Sequence, residues 1–216
     1  MVKQLSLFDP EPTNGSQSGT PSLSVAHANE QKVAHPEQKE KEGSTTAFEK
    51  KNEQKNGDIQ KKGHCTAHWK LFVDGAARNN PGPAGAGFYL LKDGEMFAKK
   101  GYYLGSRTNN QAEYLALLLG LHFLKHEVKP GDCVHIISDS QLLVRQLQGQ
   151  YKIKAVELKP LHALASALMH VLHAEIFHVL RTDNVHADRM ANKGIDTQRA
   201  VPHDFITMLH AHGISW

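Results

Sequence analysis

The chain has 216 residues, with 25 Lys and Arg against 22 Asp and Glu, a formal charge of +3. That length suits one ordinary domain plus an extension, and so small a charge does not by itself announce a nucleic-acid partner. No run of eighteen apolar residues exists, so no membrane-spanning helix is expected, and Met1 to Pro10 has too short an apolar core for a secretory signal. Cys65 and Cys133 match no zinc spacing such as C-x2-C and fit a reducing compartment. A soluble, cytoplasmic protein is the expectation.

Residues 9–65 are rich in Gln, Glu, Lys, Ser, Asn and Gly, and Val25, Val33, Phe48 and Ile59 stand alone without a period. Such a segment buries too little apolar surface to offset its chain entropy, so it reads as a disordered, solvated linker. From Trp69 onward apolar runs alternate with turn signals, which predicts a folded domain over 66–200 and a helical C-terminal extension over 201–216. Lys70 to Asp74 reads as a short strand, and Asn79-Asn80-Pro81-Gly82-Pro83 as a tight loop. Gly87 to Leu91 and Met96 to Leu104 form an expected hairpin around Asp93-Gly94.

A helix is predicted from Thr108 to about His126, opened by a capping box of Thr108 and Gln111. Its small residues Ala112, Ala116 and Gly120 would let it lie close to a sheet. Cys133 to Ser138 reads as a strand, Ser140 to Gln148 and Val156 to His173 as helices, and Glu175 to Arg181 as the last strand. Asn184 to Gly194 opens another helix, and Pro202 to His212 the final one. The order predicts an α/β fold, a five-stranded mixed sheet with helices on both faces. The right-handed crossover rule makes the first, fourth and fifth strands parallel.

Four acids stand at the ends or starts of these elements. Asp74 and Asp139 follow strands that would be parallel neighbours, and ligands gather beyond the carboxyl ends of such strands. Glu113 and Asp188 lie in early turns of helices. Taken singly, each suits a turn, a cap or a helix N-terminus. Four converging carboxylates repel one another and raise each other's pKa, and divalent cations would relieve that repulsion.

The segments around these acids carry more. Asp74-Gly75-Ala76 with Asn80-Pro81-Gly82-Pro83-Ala84-Gly85-Ala86-Gly87, Thr108-Asn109-Asn110-Gln111-Ala112-Glu113-Tyr114, Ser138-Asp139-Ser140-Gln141-Leu142 and Arg181-x-x-Asn184-x-x-Ala187-Asp188 stand in this order. They resemble the four motifs of type 1 ribonuclease H, over nearly all of residues 69–196. The resemblance implies the ribonuclease H-like fold and endonucleolytic hydrolysis of the RNA strand of RNA–DNA hybrids by two Mg2+ ions, with Mn2+ as a substitute. It also implies 5′-phosphate and 3′-hydroxyl products; a monomer is the expectation. Asp74 would bridge both ions, Asp188 would serve the ion that activates water, and Glu113 and Asp139 the ion on the leaving-group side. Asn80, Thr108, Asn109, Asn110 and Gln141 are the implied hybrid contacts, small polar groups that suit sugars and phosphates. A non-catalytic hybrid-binding adaptor and a nuclease of broader substrate range are the alternatives.

The chain departs from that pattern in two places. The histidine loop that some members carry before the last aspartate is missing, since Arg181 is followed almost at once by Asn184. His178 is expected inside a strand and His186 turned aside, so neither is assigned to catalysis. The basic protrusion of some relatives is reduced to Lys152, Lys154 and Lys159, which predicts weaker binding with a shallower salt dependence. His122, His162, His170 and His173 read as helix-surface residues.

At the start of the chain, Gln4-Leu5-Ser6-Leu7-Phe8 resembles the peptide by which bacterial replication and repair proteins dock on the sliding clamp. Leu5, Leu7 and Phe8 would anchor in an apolar pocket and Gln4 would set the register. A flexible linker of about 55 residues would give the nuclease a reach of roughly 40 Å from such a clamp.

Overall fold

A computed structural model describes residues 65–216. The expected clamp-docking residues Gln4, Leu5, Leu7 and Phe8, and the expected linker up to residue 64, lie outside the described residues. In order, the elements are β1 (His68–Ala77), β2 (Gly82–Lys92), β3 (Glu95–Arg107), α1 (Asn109–Leu124), β4 (Cys133–Ser138), α2 (Gln141–Leu147), α3 (Leu158–Val171), β5 (Ala174–His178), α4 (Val185–Thr197) and α5 (His203–Ala211). The sheet runs β3-β2-β1-β4-β5. β1, β4 and β5 are parallel, and β2 and β3 add an antiparallel pair at one side. Both arrangements match the expected mixed sheet. The β2–β3 hairpin turns on Asp93 and Gly94, both at positive φ (51° and 87°), as a two-residue turn between right-twisted strands requires.

Register shows that helices cover both faces. Asp74 pairs with Gly87, so these two residues share a face, and Gly75 points to the other. A Cβ on Gly87 would collide with the α4 backbone at Ala191 and Ala187, whereas one on Gly75 would collide with the α1 backbone at Ala112 and Glu113. α4 therefore lies against one face and α1 against the other, each with backbone nearly touching backbone. The small-residue stripe of α1 does what its composition implies: at Gly120 an added Cβ would press on the Leu71 side chain at 2.9 Å. The outer side of α1 is covered in turn by α3, through Leu158, Leu161, Leu164 and Ala165. That second cover explains why α1 is apolar around most of its circumference.

Several boundaries differ from the sequence reading. β1 does not stop at Asp74; its pairing with β2 continues to Ala77, while its pairing with β4 ends at Phe72. β5 ends at His178 rather than Arg181, and Arg181–Asp183 form a 3-10 turn. His122 is buried, not a surface residue, because α5 packs over it: its Nε2 lies 2.7 Å from Asp204 Oδ2 and its ring meets Phe205 edge-on. Burial holds His122 below the usual histidine range even though Asp204 opposes the shift. His173 is also not helical; it follows α3 with φ of 49°.

The cysteines form a disulfide, Cys65 to Cys133, with Cα atoms 5.6 Å apart. The pairing of His68 with Cys133 at the start of the β1–β4 ladder brings residue 65 beside β4. No helix among the described residues is long and apolar enough to cross a membrane.

Candidate active site

The site begins where the β1–β4 ladder ends. Beyond the Phe72–Ile137 pair the two strands part, and the next β1 carbonyl, Val73, has no partner on β4. Asn184 fills the gap: its Nδ2 donates to Val73 O at 2.9 Å and to Asp139 Oδ1 at 2.6 Å. Two acceptors on one nitrogen fix which way the amide points. Asn184 is 1% exposed, and its Oδ1 is buried without a hydrogen-bond partner.

Four elements deliver the acids to this opening. Asp74 stands in β1 just past the parted ladder. Asp139 lies in the bend between β4 and α2, where Ser140, not Asp139, caps the helix by accepting from Leu143 N–H at 3.4 Å. Glu113 comes from α1, and its Oε2 accepts the Gly75 N–H at 3.2 Å. Gly75 is the residue that lets α1 approach closely enough for that bond. Asp188 comes from the first turn of α4, held by Arg181 at 2.6 Å and by Asn192 Nδ2 at 3.4 Å.

The electrostatics show that these groups face one another. Asp74 is pushed up to about 7, first by burial, then by the charges of Asp139 and Asp188, with the Arg181 guanidinium opposing. Glu113 is raised well above the carboxylate range by burial and by Asp74 and Asp139, against the Gly75 N–H and Arg181. Asp74 and Glu113 are only 6% and 7% exposed. Two protonation events in such a cluster belong to the group rather than to either residue.

The donor set fits hard divalent cations, since four carboxylates are the ligand chemistry of Mg2+ and Mn2+. Their spacing is open: no three of the four bring one oxygen each within 4.8 Å of one another. An open arrangement leaves coordination positions for water and for substrate phosphate. Arg181, bonded to Asp188 and lowering both Asp74 and Glu113, is the positive charge that the described residues themselves supply to this cluster.

The other sequence-predicted residues fall in three places. Asn80 and Asn109 meet, Asn80 Oδ1 accepting the Asn109 N–H at 3.0 Å, and Thr108 completes the capping box with Gln111 beside them. Asn110 lines a cavity of about 530 Å³ with Gln146, Tyr151, Lys152 and Lys154. Gln141 is exposed at the first turn of α2, two residues after Asp139. His186 stacks on Tyr89 with ring centroids 4.6 Å apart. His178 sits nearer than its strand position suggested, its Nε2 3.2 Å from the Asp139 carbonyl. Sequence reading did not assign Asn184 and Arg181 to the site; their only signal was their place in the fourth motif.

A family model described as "Reverse transcriptase-like" matches residues 72–194. The ribonuclease HI of Halobacterium salinarum is 37% identical over 127 residues, covering 58% of this chain and 63% of that protein. A bifunctional protein of Mycobacterium tuberculosis is 36% identical over 130 residues, 58% of this chain and 35% of the relative. The chain thus spans only part of these relatives' length. Among solved structures, a ribonuclease H1 isolated from compost superposes with a TM-score of 0.58 at 36% identity, covering 60% of this chain and 96% of that one. The same compost enzyme in complex with an RNA/DNA hybrid gives 0.55 at 34% identity, over 61% and 97%. With that family match and near-complete coverage of a ribonuclease H1 at 36% identity, the chain belongs to the type 1 ribonuclease H family.

Proposed function

We propose that the chain is a metal-dependent endonuclease that hydrolyses the RNA strand of RNA–DNA hybrids and leaves 5′-phosphate and 3′-hydroxyl ends. The observation that carries this reading is the convergence of Asp74, Glu113, Asp139 and Asp188 on one opening, where burial first and then the charges of Asp139 and Asp188 push Asp74 up to about 7. The hybrid held by the related compost enzyme supports the substrate class. Asp74, Glu113, Asp139 and Asp188 would hold two Mg2+ ions, or Mn2+. When bound, such ions stabilise charge on the attacking and leaving oxygens of an in-line displacement.

The chain's own groups set the stage for that chemistry. Asn184 holds Asp139 against the end of β1, and the Gly75 N–H holds Glu113. Arg181 keeps Asp188 oriented. Asn80, Thr108 and Asn109 form one polar edge, and Asn110 with Lys152 and Lys154 another, suited to the two backbones of a hybrid. Thr108 is committed to its cap, so its part is to hold the α1 N-terminus in place. Gln141 stands ready beside Asp139 for the RNA sugar, whose 2′-hydroxyl distinguishes it from DNA.

The test is a labelled hybrid, each single strand and both homoduplexes, incubated with the chain in Mg2+ or Mn2+. Cleavage confined to the RNA of the hybrid is expected, and Asp74→Asn should lower its rate at least ~100-fold, about 3 kcal/mol of barrier. Absence of hybrid cleavage with either metal refutes the function; full activity in Asp74→Asn refutes the site. Docking on a bacterial sliding clamp through Gln4, Leu5, Leu7 and Phe8 is a second proposed partnership, supported by sequence alone. Clamp pull-down with a Gln4, Leu7, Phe8 triple-alanine variant tests it, equal recovery counting against it.

A further inference from the structure

At the opposite end of the parallel strands from the four acids lies a second cluster of ligand-bearing side chains. Cys65, His68 and Cys133 bring one ligand atom each within 4.8 Å of one another, the one such group of His, Cys, Asp or Glu among the described residues. Around a tetrahedral ion with Zn–S bonds of about 2.3 Å, sulfurs stand roughly 3.8 Å apart. The two sulfurs, about 2 Å apart while bonded, must therefore separate by roughly 2 Å once reduced, a movement that rotation of the cysteine side chains supplies. It stands six residues up β1 from Asp74, roughly 20 Å at about 3.3 Å per residue, so it is separate from the carboxylate site. We propose that the chain with its cysteines reduced holds one thiophilic divalent cation, with Zn2+ as the reference ion, on Cys65 Sγ, Cys133 Sγ and a ring nitrogen of His68.

The backbone keeps these residues together independently of the sulfur–sulfur bond. Thr66 N–H donates to Gly131 O at 2.9 Å, Cys133 N–H to Ala67 O at 2.9 Å, and His68 pairs with Cys133 in the β1–β4 ladder. Reducing the disulfide thus frees two sulfurs without freeing the strands that carry them. Cys65 and His68 also have the C-x2-H spacing that lets neighbouring residues share one ion.

The surroundings leave room for a fourth ligand. The three residues line a cavity of about 360 Å³ together with Asp132, His135, His173 and Glu175. Asp132 Oδ2 accepts from Trp69 Nε1–H at 2.9 Å and from Lys129 N–H at 3.0 Å. Water, or Asp132 Oδ1, His135 or Glu175 from the same cavity, completes the set. Two thiolates and an imidazole select Zn2+ over Mg2+, the reverse of the all-oxygen carboxylate site.

Disulfide and metal are alternatives at the same atoms. A dithiol reductant delivers two electrons and two protons to the Cys65–Cys133 bond, giving two thiols while it becomes a disulfide itself. Binding of the cation then releases those two protons as the thiols ionise. The proposal is independent of the nuclease reading.

The test uses the full chain, reduced, freed of reductant without air, and titrated with Co2+ in excess Mg2+, which competes for the carboxylates. A thiolate-to-cobalt charge-transfer band that saturates at one Co2+ per chain and is bleached by Zn2+ is the expected result. Cys133→Ser should lose the band. His68→Ala, at an exposed position that leaves the core intact, should weaken Co2+ binding about tenfold or more. The oxidised chain should show no band. A reduced chain with two titratable thiols and no band overturns the proposal, as does an unchanged Co2+ affinity in His68→Ala.

Discussion

Replacing Asn184 by alanine tests whether one amide joins the sheet to the acid cluster. The change removes both Nδ2 bonds. The Val73 carbonyl, in a residue with no exposure, is left unpaired, a loss of about 1–3 kcal/mol. The bond to Asp139 is charge-assisted but half-exposed, so it adds the lower part of the ~1.5–3 kcal/mol range. Removing the partnerless Oδ1 offsets about 1 kcal/mol of the total. The net expectation is about 2–4 kcal/mol of destabilisation, a fall in Tm of roughly 5–15 °C at this size. Asn184→Asp keeps the shape but replaces both donors by acceptors and adds a charge beside Asp139. It should melt lower than the alanine variant at pH 7 and regain part of the loss as the pH falls. Thermal melts in a chelator, followed by near-ultraviolet circular dichroism, measure both. Melting of both variants within about 2 °C of the parent, or an aspartate variant more stable than alanine at neutral pH, would refute the reasoning.

Two further outcomes follow from the same geometry. Asp74 is raised in the folded state to about 7 from 3.8, so between these values the folded chain holds a proton that the unfolded chain has lost. Metal-free stability should therefore fall as pH rises from about 4 to 7, with Asp74 alone contributing at most about 4 kcal/mol. Asp74→Asn should flatten that slope in chelator melts; an unchanged slope would remove Asp74 as its source. At Gly87 an added methyl meets the α4 backbone, so Gly87→Ala should lose at least about 1–3 kcal/mol in denaturant unfolding. Gly94→Ala meets open space, and only its positive φ costs it, about 1 kcal/mol. Equal losses at the two positions would contradict the close packing of helix on sheet.

Much of this arrangement was legible because local chemistry and tertiary structure agree. Thr108 and Gln111 cap α1 as their spacing implies, Asp93-Gly94 turns the hairpin, and Cys133–Ser138 is the strand that its apolar run predicts. The failures have a common cause in contacts between distant segments. β1 outruns its sequence signal because Gly75, Ala76 and Ala77 find partners in Gly85 and its neighbours on β2, and nothing local records that pairing. His122 looked like a surface histidine because α5, which buries it, lies eighty residues further on. The four acids were recognisable from their motifs, yet the amide that ties two of their strands together was not. Its role depends on the point where a parallel ladder ends, which only the folded sheet defines.

The contact of α4 with the sheet sets a tolerance for the acid it carries. Where backbone rests on backbone, as at Gly85, Gly87 and Gly101, there is no intervening side chain to change rotamer. The spacing between the α4 backbone that carries Asp188 and the sheet that carries Asp74 then has little slack, and only the two side chains can adjust. Asp139, carried on a bend between β4 and α2, is restrained instead by hydrogen bonds, from Asn184 Nδ2 to its carboxylate and between His178 and its carbonyl. If the four acids hold metal ions as proposed, a change of ion radius would be met by side-chain rotation and by movement of the Asp139 bend rather than by the α4 backbone.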